Sequence, residues 1–163
     1  KMIQLTKIHK IKEKKLFLLL FLISLLLSHM NIFGISNPAI MPNYFIALIL
    51  SFLLANKASL NLFNLVIIGL VIDVLAGNLL GQYGLIFIFI YTLNLITNKI
   101  LFIKHQSQII ALSIFLIFFS FITLWLTSET FEIFIPFQTL LIQSILTFIV
   151  FLFFRVIIIK NIS

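Results

Sequence analysis

One carboxylate stands where carboxylates are costly. Asp73 lies in the apolar run LNLFNLVIIGLVIDVLAGNLLGQYGL and is the only acid between Glu13 and Glu129. An ionised acid in hydrocarbon must find donors or pairs, so such a residue marks a packing or functional site. Two kinds of chemistry fit it. The carboxylate can accept N–H groups, capping a returning loop or the start of the next helix, or it can bind a ligand or relay a proton. A relay or ion path uses several intramembrane ionisable groups, and this stretch holds one, which favours capping. Four of the five glycines surround it, at 69, 77, 81 and 84. Gly69, Asp73 and Gly77 are four apart and share one helix face. Gly69 lets a neighbouring helix approach closely. Gly77 is suited to end the helix in a left-handed conformation. Gly81 and Gly84 permit tight shapes in the turn GNLLGQYG. Asn94, in the antiparallel helix that follows, is the expected partner of Asp73.

Other chemistries find little support. Cysteine is absent, which excludes disulfides, thiolate catalysis and Cys-based metal sites. His9, His29 and His105 are scattered and show no metal-binding spacing. There is no Ser-His-Asp arrangement, no phosphate loop and no carboxylate pair for acid–base work. Glu129 and Glu132 fall in a connection, where solvated charge is expected. No enzyme activity, metal or cofactor is expected. Thr92, Asn94, Thr97 and Asn98, and later Gln138, Gln143, Ser144 and Thr147, read as glue between helices, at about 0.6 kcal/mol per bond.

The elements that must position these residues follow from hydropathy. The chain has 163 residues, of which 63% are hydrophobic and 9% charged. A soluble domain carries about 25% charged residues, so this chain reads as an integral membrane protein. Its apolar runs are continuous, which indicates helices and not a transmembrane barrel. Six all-α spans are expected, at residues 16–33, 44–55, 60–75, 85–97, 109–126 and 136–154. Pro38 and Pro42 break the chain before the short second run, and Pro136 opens the sixth. The first run continues into further spans and lacks a cleavage site, so it reads as a span and not as a cleaved signal. No repeat, linker or soluble domain is apparent.

Charge orients the spans. With the N-terminus inside, the inner segments are 1–15, 56–59, 98–108 and 155–163, and they hold all 11 Lys and Arg residues. That asymmetry places both termini in the cytoplasm. It also accounts for the net charge of +7 without nucleic acid. The tract from Lys7 to Lys15 is an inner anchor with some affinity for anionic membrane lipid. The chain divides into a basic segment (1–15), a membrane domain (16–154) and a tail (155–163). Trp125, Tyr83 and Tyr44 are expected in the outer aromatic belt.

The run MPNYFIALILSFLLANKASLNLFNLVIIGLVIDVLAGNLLGQYGL, with Pro42, Gly69, Asp73, Gly77, Gly81 and Gly84, resembles the MreD family of rod shape-determining membrane proteins. The basic start, the length and the six-span plan match as well. The segment around Lys57 departs from the family, which often carries more Arg and Gly there. The resemblance implies a scaffold in the inner membrane that supports peptidoglycan synthesis during cell elongation. The implied partners are the bitopic protein MreC, and MreB, RodA and a penicillin-binding protein in the same assembly. The implied fold is similar to the substrate-binding S-components of energy-coupling factor transporters, which makes vitamin binding the alternative function. The expected partner surface is the Gly69 side together with the GNLLGQYG turn.

Overall fold

The structure is a computed structural model that describes residues 2–29, 41–55, 60–76, 79–101, 105–130 and 136–162. Gly77, Lys57 and Pro38 lie outside the described residues. Six helices make up the described chain: α1 (Met2–His29), α2 (Tyr44–Leu54), α3 (Leu62–Ala76), α4 (Gln82–Leu101), α5 (Gln106–Thr130) and α6 (Phe137–Ile162). No strand occurs among the described residues. The apolar runs form helices because a helix satisfies its own N–H and C=O groups without water. Two segments, Gln106–Thr127 and Phe137–Asn161, are long and apolar enough to cross a membrane, while Tyr44–Leu54 and Leu62–Ala76 are apolar but shorter.

Helix α2 forms the centre of the bundle. Every residue from Phe45 to Leu53 is buried. It packs against α1, α4, α5 and α6. A helix apolar on all sides belongs either in a protein core or in lipid, and α2 takes the core. Its start is fixed locally. Asn43 is the N-cap, and its side chain accepts the Ile46 N–H at 3.1 Å, satisfying one of the free donors of the first turn. Pro42 sits just before this cap, where its missing N–H removes nothing from the helix. On the α1 side, Phe17 meets Phe52 edge-on at 5.1 Å between ring centres.

Helix α3 is held differently. Among the described residues it packs only against α4. Its buried residues are Leu65, Gly69, Ile72 and Asp73, a single stripe at helical spacing. Of the remainder, Val66 and Ile68 are half-buried, and the other residues are exposed and, Asn64 apart, apolar.

One expectation needs correction. Tyr83 is not a belt residue: its ring is buried, and stacks edge-on against both Phe45 and Phe87. Its hydroxyl has a partner in the core, which lets the ring turn inward. Helix α6 runs unbroken through Arg155 to Ile162, because no breaker residue interrupts it. The Arg155 side chain is half-buried, and one of its terminal guanidinium nitrogens is buried without a hydrogen-bond partner.

Candidate functional site

Asp73 is fully buried, at 0% exposure, and its carboxylate closes the start of α4. The Gly81 N–H donates to Oδ2 at 2.8 Å, and the Tyr83 N–H donates to Oδ1 at 3.1 Å. A helix leaves its first four N–H groups without intrahelical partners, and within a membrane no water is there to take them. Here three of the four are answered: besides the two on Asp73, the Gln82 N–H donates to the Leu79 carbonyl at 3.1 Å. Asp73 therefore acts as an N-cap supplied by a different helix. Its negative charge also lies at the positive end of the α4 dipole.

Glycine is needed at two points of this joint, for different reasons. Gly81, the residue before α4, has φ +92°, a conformation that side-chain-bearing residues resist. It turns the chain so that its N–H and that of Tyr83 both face Asp73. Gly69 lies one turn before Asp73, where the two backbones meet. A Cβ at Gly69 would stand 2.5 Å from the Gly84 nitrogen and 2.6 Å from its Cα, so no larger residue fits without moving backbone. Gly84 is different. It lies within a regular helix, and a Cβ there would meet only the Val66 carbonyl oxygen, at 3.9 Å. The expectation that Gly84 supplies an unusual backbone shape is corrected.

The joint continues across the bundle. The buried Tyr83 hydroxyl accepts the side-chain N–H of Asn43, the residue that caps α2. The Asn43 backbone N–H donates to Thr147 Oγ1 on α6 at 2.9 Å. Gln82 Nε2 donates to Thr127 Oγ1 on α5 at 3.0 Å. One end of the bundle is thus a polar clasp that ties α2, α3, α4, α5 and α6. Asn43, Gln82 and Thr127 are the members that sequence reasoning did not single out, and Tyr83 had been given a belt position instead. The signal was present in Asn43, a helix-capping residue type directly after Pro42 and before an apolar run.

Asn94 does not join the clasp. Gly69 packs on Gly84, so α4 leads away from Asp73, and Asn94 lies ten residues further on, about 15 Å along the helix axis. Its side-chain oxygen instead accepts the Asn98 amide at 3.2 Å. The supposed interhelical glue is corrected in the same way. Thr92 and Thr97 donate to carbonyls of their own helix, as does Ser144. Of that group Thr147 does link helices, through Asn43. The Gly69 side of α3, expected to form part of a partner surface, is covered by Gly84 within the chain.

The clasp offers acceptors to fixed donors. That chemistry joins and orients helices. Among the described residues, no three His, Asp or Glu side chains come together as a metal site would require.

Comparison with curated proteins and with solved structures gives no match. Comparison with protein-family models matches residues 10–161 to the rod shape-determining protein MreD. The matched span runs from within α1 to the end of α6 and includes every member of the clasp, and the chain belongs to the MreD family of rod shape-determining proteins.

Proposed function

We propose that the chain is a non-enzymatic scaffold of the bacterial inner membrane that holds an MreC-like bitopic partner within the cell-elongation machinery. MreB, RodA and a penicillin-binding peptidoglycan synthase share that assembly on this reading. Family membership supports the role in rod shape. The observation that carries the scaffold reading is the open side of α3. Phe63, Leu70 and Val74 are 72%, 40% and 67% exposed, and their spacing of seven and four puts them on one face. This face points away from the stripe bound to α4. It is rigidly presented, because Asp73 and Gly69 fasten α3 from behind. A single transmembrane helix of a bitopic protein is a natural complement to such a face, through side-chain packing.

The same reading has six spans and cytoplasmic termini. It is supported by the central place of α2 beside α5 and α6, the two helices long enough to cross a bilayer, and by the charge asymmetry of the connections. The alternative, a vitamin-binding subunit, needs several polar groups converging on a cavity. In this core the fully buried polar side chains are taken up by bonds within the protein. Ser24, Ser51 and Ser120 all donate within their own helices.

Co-purification tests the proposal. The wild-type chain should retain a tagged MreC-like partner in detergent. The double variant Phe63→Ala/Val74→Ala should lose most of that yield while keeping its own melting temperature. Undiminished yield from a well-folded variant contradicts the assigned face, and tight binding of a vitamin by the purified chain contradicts the scaffold itself.

A further inference from the structure

The bundle carries a cleft at the end opposite the clasp. Among the described residues, α1 and α3 nowhere bring their Cα atoms within 8 Å of each other. Between them lies a cavity of about 280 Å³. Its walls are apolar, with Phe17 and Leu18 on one side, Ile67 and Ile68 on the other, and Phe52 of α2 beneath. Three polar groups join this lining: Glu13, Lys14 and Asn64. Among the described residues none of the three has a hydrogen-bond or ion-pair partner.

We propose that this cleft binds one phospholipid with a zwitterionic phosphoethanolamine headgroup. The proposal rests on the topology given above, which puts Glu13 and Lys14 at the cytoplasmic surface of the bilayer. An acyl chain fits the apolar walls, and the headgroup then lies at the depth of the three polar groups. The choice of headgroup follows from their chemistry. Lys14 offers a cation to the lipid phosphate. Glu13 offers an anion, which would repel a purely anionic headgroup but accepts the N–H groups of an ammonium. A choline headgroup brings a cation without an N–H to donate. The Asn64 amide has donors for a phosphate or ester oxygen. An apolar helix of a protein partner would cover Glu13 and Asn64 without bonding either, and a buried polar group without a partner is costly. Phosphoethanolamine answers all three groups.

Native mass spectrometry of the full purified chain, titrated with phosphatidylethanolamine, phosphatidylglycerol and phosphatidylcholine of matched acyl chains, tests this. One phosphatidylethanolamine should bind per chain at a concentration about tenfold lower than either competitor, the discrimination expected from one charge-assisted hydrogen bond. Glu13→Gln should keep a bound lipid but lose the headgroup preference. Ile67→Trp should remove the adduct by filling the cleft, and Leu18→Trp, from the opposite wall, serves if Ile67→Trp loses helicity. Equal binding of the three lipids by the wild-type chain would overturn the proposal, as would an adduct that survives in a folded cleft-filling variant. Displacement of the lipid by a co-purified MreC-like partner would assign the cleft to the partner and overturn it as well. Labelling of Lys14→Cys from the cytoplasmic side separately checks the topology, so an error there is distinguishable from an error in the lipid.

Discussion

Helices α2 and α3 are both short and apolar, of 11 and 15 residues, yet they are held in opposite ways. Helix α2 is surrounded by four others and is buried from Phe45 to Leu53. Its position depends on contacts with all four. Helix α3 meets the described bundle only through α4. It depends on one backbone-to-backbone approach at Gly69 and on one carboxylate that takes up the free donors of α4. Hydrophobic burial is not what distinguishes them, because in a bilayer the apolar outer face of α3 is as well solvated by lipid as by protein. Close packing and polar satisfaction therefore decide where α3 goes.

That contrast can be broken on either side. The largest effect is expected from the enclosed helix. Phe52→Ala would leave a void beneath Phe17 at the bundle centre and should cost about 3–5 kcal/mol, seen as a drop in the melting temperature of the whole protein. A melt unchanged within error would mean that α2 is not the core. Next comes Asp73→Ala, which leaves the Gly81 and Tyr83 N–H groups without partners, at about 1–3 kcal/mol each. The loss should appear in α3 and the start of α4, leaving α2 in place. Asp73→Asn keeps one acceptor oxygen and should fall between wild type and the alanine variant. The smallest effects sharpen the comparison between glycines. Gly69→Ala should cost about 1–3 kcal/mol through overpacking, and Gly84→Ala should stay within about 0.5 kcal/mol. Equal losses for the two, measured by thermal melting in the same detergent, would show that the closest approach is not at Gly69.

Much of this plan was legible in the residues. Continuous apolar runs located the helices, and the isolation of Asp73 among glycines marked the joint and its capping role. The pairing of Asp73 with Asn94 failed for a geometric reason. Helical spacing tells which residues share a face, but the height at which two helices meet was set by the Gly69–Gly84 contact, which no local pattern encodes. Thr92, Thr97 and Ser144 were over-read because a hydroxyl in a helix can always bond its own preceding carbonyls, and sequence does not tell that bond from one across helices. Tyr83 was misplaced because an amphipathic ring suits both a membrane interface and a core with a partner for its hydroxyl. The centrality of α2 was hidden by its length, since a short apolar run looks peripheral until its neighbours are known.

The claim that Asp73 fastens α3 to α4 is tested most directly by amide hydrogen exchange, followed by mass spectrometry in lipid nanodiscs, on wild type and Asp73→Ala. The account predicts that the amides of Gly81 and Tyr83 are protected in the wild type and exchange at least tenfold faster in the variant, about 1.4 kcal/mol of lost protection, while those of α2 keep their protection. Equal protection of Gly81 and Tyr83 in the two proteins would contradict it.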